Sequence, residues 1–294
     1  MTTRTPRRSD FRFIHRLRVR WAEVDMQKIV FNPHYAMYLD TAMAEYWRAL
    51  ALPYESAMHQ LGGDVFLKKM ELDYHASARY DDVLEVGLRC QRLGNSSMVF
   101  EGAVLREHRP LVTAHLVYVY ADAATQRPQP VPAPLRAIME GFDAGQAMTE
   151  CVVGSWDTVA AQASAVREAV FVQEQGIGAH MVWDGADAQA VHALVRNRLG
   201  QPLGTGRLVS QAPGVGRIGR MAVHRALRGS QVGREVLDAL GQASRDRGDY
   251  EVMLMAQASA VGFYLRCGFA PRGAPFEEAG IAHQEMALTL RSET

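Results

Sequence analysis

The 294-residue sequence has few cysteines, no surplus of either charge and no long apolar run. Its cysteines, Cys90, Cys151 and Cys267, are odd in number and far apart, which indicates neither a disulfide framework nor zinc-ligand spacing. Basic and acidic residues number 32 each, so no basic surplus points to a nucleic acid. No apolar run approaches the length of a membrane span. We therefore expect a cytoplasmic protein with no bound metal and with neither nucleic acid nor membrane as a partner.

The length favours two domains of about 140 residues over a single one. A composition that is 48% apolar and 22% charged gives each half enough apolar side chains for a core. Four prolines crowd 122–134, and Gly145 with small or polar neighbours follows. The sequence predicts a flexible tail (1–10), a first domain (11–143), a linker (144–151) and a second domain (152–294).

The most informative segment of the second half is 216–233. It is typical of a buried strand (217–223), a tight basic loop (228–233) and a helix with one apolar face formed by Val232, Val236, Leu240 and Ala243. A glycine-bearing loop at a helix N-terminus presents unpaired backbone N–H groups and the positive end of the helix dipole. This segment therefore predicts a site for a phosphate-bearing cofactor.

Two further segments make this prediction specific. Downstream, a short helix carries Phe263-Tyr264 and ends at Gly268-Phe269. Upstream stands the pattern Arg-x-x-Val-Phe-x-x-Glu-Gln over 167–175, and His-Gln-Glu-Met closes the region at 283–286. In this order the segments resemble the Gcn5-related N-acetyltransferase (GNAT) superfamily over about 152–290, which implies a mixed αβ fold and acetyl-CoA as a substrate.

The resemblance assigns roles to residues by their place in the motif. Met221, Ala222 and Val223 would bind the pantetheine arm through their backbone, and Tyr264 would protonate the leaving thiolate; the alternative for Tyr264 is a core aromatic. The loop would hold the pyrophosphate of the cofactor through Arg228, Gly229, Ser230, Gln231, Val232 and Gly233. Gln231 stands where the family usually has glycine, so its side chain either crowds the phosphates or its backbone is right-handed helical and needs no glycine.

The base that deprotonates the amine is not fixed by the motif. Residues of the right type are Glu174, Asp184, Glu251 and His283. Gln257 either contacts the cofactor or caps a helix, and Arg220 faces either cofactor or solvent. The amine itself stays unidentified, because folds host many functions.

The first half follows a different pattern. A strand (11–21), in which Leu17, Val19 and Trp21 alternate with arginines, precedes one long helix that Asn32 can cap and Pro33 can begin. Four strand-like runs follow (66–75, 83–93, 98–107 and 111–121), and a short helix is predicted at 135–142. The long helix has one continuous apolar face, formed by Tyr35, Tyr38, Leu39, Ala42, Met43, Tyr46, Trp47 and Leu50. This predicts an antiparallel sheet of about five strands wrapped around a central helix.

The loop before that helix carries Asp25, Val30 and Tyr35 in the order Asp-x-x-Gly-x-Val-x-x-x-x-Tyr, with Lys28 in place of glycine. It resembles the hotdog-fold acyl-CoA thioesterases of the 4-hydroxybenzoyl-CoA type. The resemblance implies that Asp25 is a general base or nucleophile and that backbone N–H groups around Asn32 polarise the thioester carbonyl. The alternative for Asp25 is a turn-forming residue.

Two other residues of this half are weaker candidates. His34 keeps open a dehydratase reading, since hotdog dehydratases use a histidine, and Glu45 is expected off the apolar face.

Together the two resemblances predict an acyl-CoA thioesterase joined to an acetyl-CoA-dependent N-acetyltransferase, assembled as a homodimer or homotetramer through the hotdog domain. Two alternatives remain open. The GNAT domain could be a CoA-sensing module of an active thioesterase, or the hotdog domain, altered at Lys28, could serve only as an oligomerisation domain of an active transferase.

Overall fold

The computed structural model describes residues 5–278 and 280–290 and divides the chain into two compact units, Met1–Met148 and Thr149–Thr294. Among the described residues, no helix combines the length and the apolar character that crossing a bilayer requires. Residues 1–4 of the predicted tail and 291–294 of the predicted second domain lie outside the described part.

The first unit is an α+β fold with one antiparallel sheet. Its strands lie in the order β1-β3-β4-β5-β2, and each neighbouring pair is antiparallel. The elements are β1 (Phe13–Arg18), α1 (Pro33–Ala49), α2 (Tyr54–Leu61), β2 (Asp64–Tyr74), β3 (Val83–Leu93), β4 (Ser97–Arg106), β5 (Arg109–Ala121) and α3 (Ala133–Asp143). The predicted five-stranded hotdog architecture is confirmed.

Helix α1 forms the centre of the first core. All eight residues of its predicted apolar face are buried. The ring of Tyr46 packs edge-on against those of Phe13, Phe100 and Phe142, which come from three other elements. The α1 prediction succeeds because a helix buried along one long face must repeat apolar residues at a spacing of three or four. Asn32 does precede the helix, but its side chain makes no capping hydrogen bond, so that part of the prediction is wrong.

The N-terminal region is more ordered than predicted. Pro6 is buried, Arg8–Asp10 forms a 3-10 turn, and Arg8 Nε lies 3.0 Å from Glu85 Oε2. A flexible tail over 1–10 is therefore wrong for residues 6–10, because Pro6 is buried and the ion pair of Arg8 with Glu85 ties the segment to β3. Strand β1 is shorter than 11–21, and Trp21 is 76% exposed in a 3-10 turn rather than half-buried in the strand.

The second unit is a mixed αβ fold with a seven-stranded sheet in the order β11-β12-β10-β9-β8-β7-β6. Its strands are β6 (Thr149–Gly154), β7 (Val191–Asn197), β8 (Pro202–Ala212), β9 (Val215–Val223), β10 (Glu251–Gln257), β11 (Ala270–Glu278) and β12 (Ile281–Thr289). Its helices are α4 (Trp156–Arg167), α5 (Ala179–Val182), α6 (Val232–Asp246) and α7 (Val261–Arg266), and α4 continues as a π-helix over Glu168–Glu174. The predicted GNAT-type fold class is confirmed.

The structure changes the predicted linker. Strand β6 begins at Thr149 and pairs with β7, so 149–151 belong to the second sheet. Residues 144–146 end helix α3, with Gly145 at a φ of 86°. The exposed edge position of β6 explains the difference, since its alternating burial gives little apolar pattern to detect.

Strands β9 and β10 are the one parallel pair in the described part of this sheet. They pair over only three positions, from Glu251↔Val215 to Met253↔Arg217, and then separate. Against β8, the pairing of β9 shifts register around Arg220, which has a φ of 52°. The separation leaves the later residues of β9 without a neighbour on the β10 side and opens a wedge in the sheet.

Helix α6 packs closely on this sheet and thereby fixes the loop after β9. A Cβ at Gly204 of β8 would lie only 2.7 Å from Val232 Cγ1, so the glycine permits the first turn of α6 to approach the strand. Val232, Val236 and Leu240 are buried as predicted.

Candidate active sites

The loop that carries Asp25 is a tight turn with defined backbone bonds. Lys28 N–H donates to the Asp25 carbonyl and Asp25 N–H donates to that of Ile29, both at 2.9 Å, and Val24 and Val30 form a bridge. Lys28 has a φ of 61°, which matches the left-handed position that follows a type I turn in a bulged hairpin. Lys28 therefore takes the backbone conformation that the glycine of the motif would take.

The two oxygens of the Asp25 carboxylate have different surroundings. Its Oδ1 accepts a hydrogen bond of 2.8 Å from Gln27 N–H, which is the turn-forming role of an aspartate. Its Oδ2 has no hydrogen-bond partner among the described residues, and the side chain is partly exposed. One carboxylate oxygen therefore holds the turn, and the other is available to a substrate or water.

Glu23 anchors this loop, and sequence reasoning did not identify it. It is 2% exposed, accepts 2.7 Å from Tyr38 Oη on α1 and 2.8 Å from Arg20 N–H, and its carbonyl accepts 2.9 Å from Phe31 N–H. Burial opposes ionisation, but these donors and the Arg20 guanidinium together lower the pKa of Glu23. The buried carboxylate therefore stays charged and ties the start of the loop to the central helix, while the Glu23 carbonyl holds the end of the loop at Phe31.

The start of α1 has a backbone donor at Asn32. The Asn32 N–H has no acceptor among the described residues, while its carbonyl accepts from Tyr35 N–H at 3.2 Å. His34 is partly buried beside the Phe31 ring, 6.1 Å between centroids. Glu45 pairs with Arg48 in a 2.5 Å contact on the outer side of the helix, which makes it a surface ion pair.

The loop between β9 and α6 exposes backbone donors in the second unit. Arg225–Leu227 forms a 3-10 turn with Leu227 buried, and the Ser230 hydroxyl and N–H both donate to the Leu227 carbonyl. Within the described residues, four donors of this loop have no acceptor: the N–H groups of Gly229, Gln231, Val232 and Gly233. Such a set of N–H groups at a helix N-terminus suits an anion.

The backbone angles of Gln231 exclude one of the two alternatives given for it. Its φ is 73° and its ψ is −12°, so it is left-handed, and the predicted right-handed helical conformation is wrong. The chain reverses at this point into α6, with Arg234 and Glu235 N–H both donating to the Gln231 carbonyl at 2.8 and 2.9 Å. The side chain is exposed, so the departure from glycine affects backbone energy more than space.

We expect Gln231→Gly to raise the free energy of unfolding of the second unit by about 1 kcal/mol, because glycine takes this backbone conformation without steric cost. Since the backbone is already in place and the side chain is exposed, CoA affinity should change less than about threefold. Denaturant unfolding and CoA calorimetry measure the two effects. A tenfold gain in affinity would instead mean that the Gln231 side chain obstructs the phosphates.

Arg228 is already paired. Its two Nη atoms lie 2.6 and 2.7 Å from the two carboxylate oxygens of Glu174, and its Nε donates to the Val223 carbonyl at 3.2 Å. The hydrogen bonds from Arg228 lower the pKa of Glu174. Glu174 is therefore a poor general base, and Arg228 would have to share or exchange this partner to contact an anion.

A cavity of about 250 Å³ fills the wedge between β9 and β10. Met221, Gln257, Tyr264 and His283 all line it. Tyr264 is 7% exposed and packs on Phe263 and Phe269, and burial raises its pKa. The phenol therefore stays protonated at neutral pH beside the cavity. Gln257 donates to Gln175 Oε1 at 3.1 Å across the cavity wall, so it serves no cap.

His283 has the geometry of an oriented imidazole. It lies opposite Gln257 in the β10–β12 ladder, and its ring stacks on that of Phe276. Its Nδ1 is 2.8 Å from the Ile281 carbonyl. Since a carbonyl only accepts, Nδ1 carries the proton and Nε2 of the neutral ring keeps a lone pair.

The other predicted bases are held by arginines. Asp184 accepts 2.6 and 2.7 Å bonds from Arg207 and lies 3.0 Å from Arg220, and Glu251 lies 2.8 Å from Arg272. Arg220 also donates to the Met181 and Val182 carbonyls, so it secures the cavity wall instead of facing solvent. Of the predicted bases, His283 alone both lines the cavity and has no cationic partner among the described residues.

The Asp184 pair makes acid stability testable. Hydrogen bonds from Arg207, with its charge, lower the pKa of Asp184 from 3.8 to about 2. A depressed pKa contributes stability above the unfolded value that is lost as pH falls. The Tm of the second unit should therefore fall as the pH is lowered from about 4 to 2, and it should fall less over that window in Asp184→Asn. Parallel decline in both proteins would contradict this assignment.

Among 5–278 and 280–290, no group of three or more His, Cys, Asp or Glu side chains is placed to hold a metal ion.

Comparison with known proteins matches both units. The pattern of the Thioesterase superfamily covers 27–113, and that of the Acetyltransferase (GNAT) domain covers 159–290.

Individual relatives agree with these matches. An Aquifex aeolicus protein named provisionally as an esterase is 36% identical over 95 residues, 32% of this chain and 73% of its own. The Bacillus subtilis "Uncharacterized N-acetyltransferase YjcF" is 34% identical over 122 residues, 41% of this chain and 86% of its own. The Haemophilus influenzae "Acyl-CoA thioesterase YbgC" is 23% identical over 121 residues, 41% of this chain and 89% of its own. The chain thus belongs to the thioesterase superfamily through its first unit and to the GNAT acetyltransferases through its second.

Proposed function

We propose that the chain is a bifunctional enzyme of CoA thioesters, in which the first unit hydrolyses an acyl-CoA and the second transfers an acetyl group from acetyl-CoA to an amine. The observation that carries the proposal is the loop after β9. There, four backbone N–H groups that have no acceptor among the described residues stand beyond two separating strands. Membership of the two families, and a relative named as an acyl-CoA thioesterase, support it.

In the first unit, Asp25 acts on water. Its free Oδ2 takes a proton from water, whose oxygen attacks the thioester carbonyl carbon. The Asn32 N–H, at the positive end of α1, stabilises the oxyanion. The C–S bond then breaks, and CoA leaves as a thiolate that takes up a proton. Direct attack by Asp25 is the second route, and it gives the same products after hydrolysis of the anhydride.

In the second unit, transfer is direct. The loop 228–233 holds the pyrophosphate of the cofactor, and the backbone of Met221, Ala222 and Val223, which lies beyond the last pairing of β9 with β10, binds the pantetheine arm. The amine attacks the thioester carbonyl carbon while His283 Nε2 takes its proton, directly or through water. Tyr264 protonates the departing thiolate. A buried, protonated phenol and an imidazole whose Nδ1 faces the Ile281 carbonyl lie in one cavity and divide the acid and base roles between them.

The assembly we propose is a homodimer or homotetramer formed through the first unit. Large apolar side chains are exposed around the Asp25 loop, with Trp21 at 76%, Met26 at 100% and Phe31 at 52%. Such a patch is costly in water and suits a second copy of the chain. Light scattering at micromolar concentration should give twice or four times the chain mass. A monomer would contradict this assembly.

A thiol-release assay tests both activities together. Acyl-CoAs of increasing chain length are supplied with and without a panel of primary amines. Release without amine measures hydrolysis, and the additional release with amine measures transfer. CoA binding without any amine-dependent release would favour the sensing alternative, whereas amine-dependent release alone would favour a degenerate hotdog domain.

A further inference from the structure

Arg217 lies in the wall of the cavity between β9 and β10 and has no carboxylate partner among the described residues. It is partly buried, lines the cavity, and has no hydrogen bond or ion pair among the described residues. It lies at Arg217↔Met253, the last paired position before β9 and β10 separate. A partly desolvated guanidinium without a partner is costly, so its presence here calls for an anion.

Three other arginines of the second unit, unlike Arg217, are paired with carboxylates. Arg167 lies 2.8 Å from Asp187, Arg207 contacts both Asp184 and Asp187 at 2.6 and 2.8 Å, and Arg220 is 3.0 Å from Asp184. The three arginines thus share two carboxylates within the protein, and each of them is paired. Arg217 is therefore the lining arginine whose charge is left for a ligand.

The position of Arg217 separates it from the cofactor's phosphates. It precedes Val223, the last residue of β9, by six strand positions, which correspond to about 20 Å. The loop 228–233, with its four free N–H groups, lies beyond that end. An anion at Arg217 thus belongs to another part of the reaction.

The other lining residues describe the ligand. The lining combines apolar side chains, among them Ile177, Met181, Leu254 and Met255, with polar ones such as Glu278 and His283. A volume of about 250 Å³ admits a small molecule or part of one. Arginine binds carboxylates through two parallel hydrogen bonds, and His283 in the same cavity suits a nearby amine.

We propose that the acceptor is a small primary amine that also carries a carboxylate, with an apolar body, and that Arg217 binds this carboxylate. The inference rests on the proposed acetyl transfer and names its substrate class. The amine nitrogen forms the new C–N bond with the acetyl carbon as the C–S bond breaks. Its proton goes to His283, while the carboxylate stays on Arg217 throughout.

The test compares matched acceptors in the full-length protein with acetyl-CoA. The pairs are leucine with leucine amide, and 4-aminobutyrate with 4-aminobutyramide. For at least one pair, we expect the acid to exceed the amide in kcat/KM by about tenfold or more. In Arg217→Met this ratio should fall to near one because the KM for the acid rises, while the KM for acetyl-CoA stays unchanged. Arg245→Met, an exposed arginine on α6, should keep the wild-type ratio.

Three results would overturn the inference. The wild type could use acids and amides equally in both pairs, or Arg217→Met could keep the preference. Arg217 could also prove to bind a carboxylate on the acyl donor. In that case Arg217→Met would lower kcat/KM for succinyl-CoA relative to butyryl-CoA and leave the acid-to-amide ratio of the acceptors unchanged.

A binding experiment separates failure of this inference from failure of the proposed transfer. If no amine is acetylated, calorimetry on the CoA-saturated protein compares N-acetylleucine with N-acetylleucine amide. A preference for the acid that Arg217→Met removes would uphold the carboxylate site while the transferase function fails. Equal binding, or no binding of either, would overturn the site itself.

Discussion

Asp25→Asn is expected to lower amine-independent acyl-CoA hydrolysis by about 10²–10⁴-fold, the usual contribution of a general base or acid. The amide has no lone pair basic enough to take a proton from water. Amine-dependent release in the same chain should stay unchanged, because the second site uses other residues. Both rates come from one thiol-release assay with and without amine.

The substitution is suited to the structure of the turn. The amide oxygen of asparagine can still accept the 2.8 Å bond from Gln27 N–H, so the loop should keep its shape and the oligomer its size. Asp122→Asn is a matched control, since Asp122 Oδ1 likewise accepts from backbone N–H groups in a turn of the same unit. An unchanged hydrolysis rate in Asp25→Asn would leave Asp25 only its turn-forming role.

Tyr264→Phe should lower amine-dependent CoA release by about 10²-fold or more, because the thiolate would leave without its proton donor. Phenylalanine keeps the ring that packs on Phe263 and Phe269, at centroid distances of 5.0 and 5.9 Å. Hydrolysis by the first unit should not change. Single-turnover release of CoA from acetyl-CoA with a saturating amine measures the effect.

Tyr250→Phe is the matched control for this substitution. Tyr250 is 60% exposed in the same unit, and losing its hydroxyl should leave transfer unaltered. If Tyr264→Phe transfers as fast as the wild type, Tyr264 is a core aromatic and the proton reaches the thiolate by another route.

The periodic parts of the fold could be predicted from the sequence. Helix α1 and strand β3 match their predicted positions because each buries one regular face against the core. Helix α2 was missed because it is short and buries only Ala57 and Met58. Strand β6 was taken as linker because it lies at a sheet edge. Elements with few buried residues leave little pattern in a sequence.

Some residues of the candidate sites could likewise be predicted from the sequence, and others could not. Motif residues such as Asp25 and Tyr264 could be named, because their chemistry and spacing are visible in one segment. The Arg228–Glu174 and Asp184–Arg207 pairs could not, since they join residues 54 and 23 positions apart. The buried Glu23 gave no signal beyond an acidic residue in a loop.

The two departures from glycine show a different limit. Lys28 and Gln231 both have a positive φ, at 61° and 73°, a region that glycine enters without steric cost. A sequence shows that glycine is missing, but only the backbone angles show which conformation the replacing residue takes. Each of these two residues takes the left-handed conformation, at a cost of about 1–2 kcal/mol.

The most direct test of two independent CoA-thioester sites is a reciprocal measurement of thiol release with Asp25→Asn and Tyr264→Phe. Each variant is assayed with and without an accepted amine, after its oligomeric state is shown to match the wild type. The account predicts that Asp25→Asn loses only the amine-independent rate and Tyr264→Phe only the amine-dependent rate. Loss of both rates in either variant, or of neither, would contradict it.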